Sequence, residues 1–312
     1  MRKYSVATIA AIVALLLAAW SYRDSGAPTA NGRAIALAPS QDRPPPQSAP
    51  MPAEQVASDP VRPRSTRNGP SRKVNLLFAT ARDYRVAFEE LLQRQQEGGG
   101  FYARNILSIC SGLRDLTSDL AGSEEITGAQ AAARQLLKDR CSGFTPEEIS
   151  EARKRGLLTD TRLKDDPLIL AQRVWNQESP DPQNRAAALS QVLATKDPLL
   201  IEGVLASVIF IPDPGGLYFN GNSYSQTNAR QVMSMAVLAA TCQIYDDACG
   251  ALDSYVVTAC AMKNSCYSSR MQLFDAAATE QFGSAGHALY TELVPKLTLA
   301  INSGDARAFI RR

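Results

Sequence analysis

The chain is 312 residues long, with a formal net charge of +2, 45% hydrophobic residues, six cysteines and one histidine, His287. A single histidine excludes zinc sites of the H-E-x-x-H type and any site that needs two imidazoles. Residues 23–73 carry eight cations against four anions and residues 74–312 carry a net −4, so the bulk of the chain has no electrostatic footprint for nucleic acid.

Residues 1–22 read as a signal anchor or signal peptide. Arg2 and Lys3 precede an uncharged run from Val6 to Trp20, long for the core of a signal peptide and short for a spanning helix. Either way the bulk of the chain is exported, because the cationic end stays in the cytoplasm. Residues 23–73 then hold ten of the 18 prolines and no long apolar run, the composition of a disordered, partly polyproline-like linker. As a coil it spans about 40 Å. A tether of that length suits an anchored protein, which places the chain as a single-pass protein of the inner membrane with its C-terminal domain in the periplasm. The alternative is a secreted or soluble periplasmic protein.

Residues 74–312 read as one helical domain. Tyr84, Ala87, Phe88, Leu91 and Leu92 recur at the spacing of one buried helix face. Gly98-Gly99-Gly100 is expected to end that helix, and Tyr102, Ile106, Ile109, Cys110 and Leu113 open another stripe. At 144–156, Thr145 and Glu148 form a capping box around Pro146, with Phe144 and Ile149 as a staple and Gly156 as the stop. Asp166-Pro167 and Asp197-Pro198 begin two further helices with similar sequences, DPLIL and DPLLI, 31 residues apart and within the range of helical-hairpin repeats. Residues 212–224 are rich in turn formers and are expected to be an irregular loop. Helical patterning resumes over 228–242, 268–282 and 286–302, with no run of strands. The expected architecture is all-α, antiparallel helical hairpins in a solenoid-like arrangement.

In an oxidising compartment six cysteines read as a disulfide framework, and none lies in a C-x-x-C pair. Cys242 and Cys249 flank one helix end and Cys260 and Cys266 another, so local pairs there leave Cys110 with Cys141. Six cysteines allow 15 pairings, and this is one of them. The segments AVLAATCQIYDDACG, TACAMKNSC and GGFYARNILSIC resemble a group of exported, all-helical proteins of proteobacteria with paired cysteines and no assigned activity. The resemblance implies an exported helical fold; it carries no chemistry and no functional residue.

The catalytic inventory is thin. His287 lies in FGSAGHALY, where phenylalanine stands in the place that a nucleophile elbow needs glycine. There is no P-loop and no metal-ligand cluster, so neither a cofactor nor a metal is expected. Glu202, flanked by apolar residues in LLIEGVLASVIF, is the candidate acid of a peptidoglycan-cleaving enzyme with one buried glutamate; its ordinary reading is a residue on the polar face of its helix. Tyr218, Phe219 and Tyr224 are candidate ligand contacts in the 212–224 loop. The chain reads as a protein-interaction module of the cell envelope rather than an enzyme. Its expected partners are the inner membrane, through the N-terminal helix, and an envelope protein.

Overall fold

The computed structural model describes residues 71–311, apart from 120–127, 151–155, 157–159, 178–180, 211–216, 226–227, 246–247 and 264–265. The anchor at 1–22 and the linker up to residue 70 lie outside the described residues. Among the described residues, no helix is long and apolar enough to cross a membrane.

Among the described residues the domain is all-α apart from one hairpin. Its helices are α1 (Ser71–Thr80), α2 (Tyr84–Leu92), α3 (Gly99–Asp119), α4 (Gly128–Cys141), α5 (Pro167–Gln177), α6 (Pro182–Ala194), α7 (Pro198–Phe210), α8 (Ala229–Tyr245), α9 (Ser254–Lys263) and α10 (Arg270–Ser303). Ser71, Val74, Asn75 and Phe78 bury one face of α1, so residues 71–73, read from the sequence as linker, lie in a packed helix. Helix α2 ends before the triple glycine, which instead turns the chain into α3: Gly98 adopts φ 91°, and a Cβ on Gly99 would lie 2.0 Å from the Leu91 carbonyl oxygen. The capping box at Thr145 forms in both directions, with Thr145 N–H donating to Glu148 Oε2 at 2.9 Å and Glu148 N–H to Thr145 Oγ1 at 3.4 Å. Residues 146–149 form turns rather than the expected helix, and Gly156 carries helical backbone.

Aspartates before prolines start α5, α6 and α7, and two of them do more than cap. Asp166 Oδ1 accepts the N–H groups of Leu168 and Ile169 at the start of α5, while Oδ2 accepts those of Gly100 and Phe101 at the start of α3. One carboxylate thus satisfies orphan donors at two helix ends, where the helix dipoles also favour negative charge. A Cβ on Gly100 would meet Asp166 Oδ2 at 2.9 Å, so glycine permits the approach. Asp197 accepts Leu200 N–H at 2.9 Å at the start of α7 and the Tyr102 hydroxyl of α3 at 2.8 Å.

The main core unites α1–α3 with α5–α8 and α10, and the most extensive helix pair is α8 against α10. A second small core of Leu113, Ala133, Leu137, Val257 and Ala261 joins α3, α4 and α9. There Arg134 Nε donates to the Ala261 carbonyl at 2.9 Å across 127 residues of chain, so the helices do not stack only on their chain neighbours as a plain solenoid would. Helix α10 is bent at Gly283, whose φ of 64° and ψ of −165° divide it where the sequence pattern separates 268–282 from 286–302.

Three disulfides join Cys110 to Cys141, Cys242 to Cys249 and Cys260 to Cys266. The first ties α3 to the end of α4. The other two clip the segments before α9 and α10, which also meet through a bridge between Gly250 and Ser269 and a 2.9 Å bond from Arg270 N–H to the Cys249 carbonyl.

The 212–224 segment is not wholly irregular. Leu217–Phe219 (β1) pairs antiparallel with Asn222–Tyr224 (β2) across Asn220-Gly221, both at positive φ. Asn-Gly between two short strands is the signature of a two-residue hairpin turn whose twist matches the strands, and it was legible in the sequence FNGN.

Candidate functional site

Glu202 is not on a polar helix face. It is 4% exposed and points from α7 into the core, where its Oε1 accepts the Thr241 hydroxyl of α8 at 2.6 Å and Arg270 Nη1 of α10 at 2.5 Å. Helix α7 is apolar on nearly all sides because it is central, so the one glutamate has no polar face to occupy. Arg270 also donates to Asp253 Oδ2 through Nη2 at 2.5 Å and Nε at 3.1 Å, and its guanidinium lies 4.8 Å over the Tyr255 ring. Asp253 in turn caps α9 by accepting the N–H groups of Tyr255 and Val256.

The electrostatics of this triad follow from burial opposed by pairing. Burial pushes the Glu202 carboxyl up, against the Arg270 charge and the Thr241 hydroxyl. Burial also works against the Arg270 charge, but Asp253 and Glu202 outweigh it and keep the guanidinium protonated. Asn75, Tyr245, Asp253 and Arg270 surround a crevice beside Glu202 that holds about 30 Å³. That is room for a water molecule or two and far too little for a sugar ring.

A second buried carboxyl lies one turn away. Asp197 is fully buried, and burial pushes it up to about 7 despite the bonds from Leu200 N–H and the Tyr102 hydroxyl. A carboxyl raised from 3.8 in the unfolded chain stabilises the fold when protonated; that contribution is complete below pH 4 and is lost as pH rises to about 7. The shift corresponds to on the order of 4 kcal/mol. Urea denaturation of the wild type and of Asp197→Asn should therefore show the wild type losing ground to the variant between pH 4 and pH 8. A difference that stays flat over that range would mean the carboxyl ionises normally.

The aromatic candidates separate into two kinds. Phe219 is a core residue, 1% exposed, with its ring 5.3 Å from that of Phe309, so it is not a ligand contact. Tyr218 and Tyr224 are half-buried, Tyr218 under the Arg311 guanidinium at 5.6 Å. The hairpin is docked on the C-terminal segment: Asn220 N–H donates to the Ala308 carbonyl at 2.7 Å and Arg311 Nη2 to Ser223 Oγ at 2.9 Å. His287 is partly exposed on α10 and meets Asp275 at 3.0 Å across the Gly283 bend. No group of three or more acidic, histidine or cysteine side chains capable of holding a metal occurs among the described residues.

A roomier concave feature among the described residues is a cleft of about 710 Å³ between α6 and residues 307–311. Gln183, Ala186, Ala187 and Ser190 of α6 form one wall, and Arg307, Ile310 and Arg311 form the other. Sequence reasoning passed over it, because its two walls are more than a hundred residues apart and neither carries a motif. It also passed over Arg270, although a signal was present: an arginine directly after the Ser269 cap opposes the helix dipole, which calls for a carboxylate elsewhere.

No protein-family model, curated protein or solved structure matches the chain. The fold defines a class, an all-α domain braced by three disulfides around a buried polar cluster.

Proposed function

We propose that the protein is a binding module of the cell envelope, held at the inner membrane by its N-terminal segment, with the helical domain recognising a protein partner in the periplasm. The resemblance to exported proteobacterial proteins and the disulfides support the compartment, since such bridges persist where the surroundings are oxidising. The observation that carries the functional reading is the division of roles between two concave features of the described residues. Glu202, the candidate acid, is locked to Arg270 and Thr241 beside a crevice of about 30 Å³, whereas the open cleft of about 710 Å³ is lined by small, polar and charged side chains suited to binding.

The alternative is a peptidoglycan-cleaving enzyme using Glu202. The two are separated by incubating the full-length protein and its Glu202→Gln variant with purified peptidoglycan and following soluble muropeptides by chromatography. The binding reading expects no release by either protein. Release by the wild type that Glu202→Gln abolishes, with folding intact by circular dichroism, would establish the enzyme instead.

A further inference from the structure

We propose that the Cys260–Cys266 bridge is a site of reversible thiol–disulfide exchange, opened at Cys266 by a dithiol reductant while the other two bridges stay closed. The proposal stands apart from the binding-module reading, since it depends on no partner of the cleft. Exchange begins when a thiolate reaches one sulfur of a bridge, so access decides which bridge reacts. Cys110, Cys242, Cys249 and Cys260 are buried and Cys141 is half-buried, whereas Cys266 is exposed. The Cys242–Cys249 bridge is therefore shielded at both residues, and the Cys110–Cys141 bridge is approached in part from one.

The two ends of the exposed bridge are unequal. Cys260 sits in the second core with Leu137, Val257 and Ala261, its Sγ 3.5 Å from the Ala129 carbonyl oxygen. Attack therefore comes at Cys266. The reductant's thiolate bonds to Cys266 Sγ, the S–S bond breaks, and its electron pair leaves on Cys260 Sγ, which takes up a proton from water. The thiol so formed has an acceptor already in place at Ala129. A separation of six residues keeps Cys260 beside the mixed disulfide, so reverse attack competes. A second thiol on the same reductant ends that competition. Its thiolate attacks the reductant's own sulfur, releases Cys266 as a thiolate and closes the reductant's disulfide. The bridge gains two electrons and two protons and the dithiol loses them.

The opened state keeps its surroundings. Gln130 Nε2 and Arg134 Nε donate to the Ala261 carbonyl at 3.3 and 2.9 Å, so α9 stays fastened to α4 without the bridge. On the far side Ser269 caps α10, and Arg270 is held by Glu202 and Asp253. What opens is the short link between the two helices, and both thiols stay near enough to close it again.

The test is timed reduction of the full-length protein in detergent by dithiothreitol without denaturant, followed by iodoacetamide labelling and peptide mass spectrometry. The expected result is labelling of Cys260 and Cys266 about tenfold or more faster than of either other pair, with circular dichroism unchanged at that stage. Oxidised glutathione should then close the same bridge again. With reduced glutathione, a monothiol, acid quenching should trap an adduct on Cys266 and none on Cys260. First reduction at another bridge, reduction of all three together with loss of the helical signal, or no reduction without denaturant overturns the proposal. An adduct on Cys260 overturns the direction of attack, and failure to close again overturns reversibility. The double variant Cys260→Ser, Cys266→Ser should keep its helical signal; its unfolding would make the bridge a structural staple and overturn the proposal as well.

Discussion

Arg270→Met is expected to destabilise the domain by about 3 to 5 kcal/mol, because it leaves the Glu202 and Asp253 carboxylates buried without their shared cation. For a domain of this size that corresponds to a fall of about 10 °C or more in Tm. The magnitude follows from the geometry: the guanidinium touches both acids at 2.5 Å and is itself 7% exposed, and the crevice of about 30 Å³ beside them has room for no more than a water molecule or two in its place. The loss should shrink when Glu202→Met is added, since part of the cost is that of the stranded acid rather than of the missing bond. Thermal or urea denaturation of the two single variants and the double variant measures this. A loss below about 1 kcal/mol for Arg270→Met would mean that the cluster is hydrated and contributes as a surface pair does.

Replacing Cys110 and Cys141 together by serine is expected to cost about 3 to 4 kcal/mol. The bridge closes a loop of 31 residues in sequence separation, and the restriction of the unfolded chain grows with loop length. The two short bridges, with separations of 7 and 6, restrict the unfolded chain less, to about 2.5 kcal/mol each by the same relation. They have a second effect that loop entropy does not count. Asp253 lies between Cys249 and Cys260, and Arg270 follows Cys266 by four residues, so opening either clip loosens a segment that delivers one member of the triad. Hydrogen exchange should separate the two kinds of effect. Loss of the long bridge should raise exchange first in α4, whose buried apolar residues belong to the small second core, and loss of a short bridge should raise it at the start of α9 and α10. Uniform acceleration across the domain in both cases would contradict the assignment.

The local features of the fold were legible because they depend on neighbours in the chain. The capping box at Thr145 and Glu148 spans three residues, and the Asp-Pro starts at Asp166 and Asp197 need only the next turn. The pairing of Cys242 with Cys249 and Cys260 with Cys266 followed from cysteines at both ends of short links, and their placement left Cys110 for Cys141. The Asn220-Gly221 hairpin was equally local and was overlooked because the helical pattern around it dominated. A turn of two positive-φ residues outweighs the surrounding periodicity, since few other conformations suit Asn-Gly between strands.

The candidate site was different in kind. Glu202 and Arg270 each break a local rule, one an acid in an apolar helix and the other a cation at the wrong helix end, and neither break has a local remedy. Their contact spans 68 residues of chain. The walls of the cleft, the double cap at Asp166 and the burial that lifts Asp197 are likewise products of which helices meet. By itself the sequence determined an all-α, disulfide-braced domain and where most of its helices begin, because hydrogen bonds to the next turn and the spacing of apolar residues are short-range. Only the tertiary structure decided which charges are paired, which aromatic residue is core and where an open cleft lies, because burial and electrostatic pairing depend on distances through space that no local pattern contains.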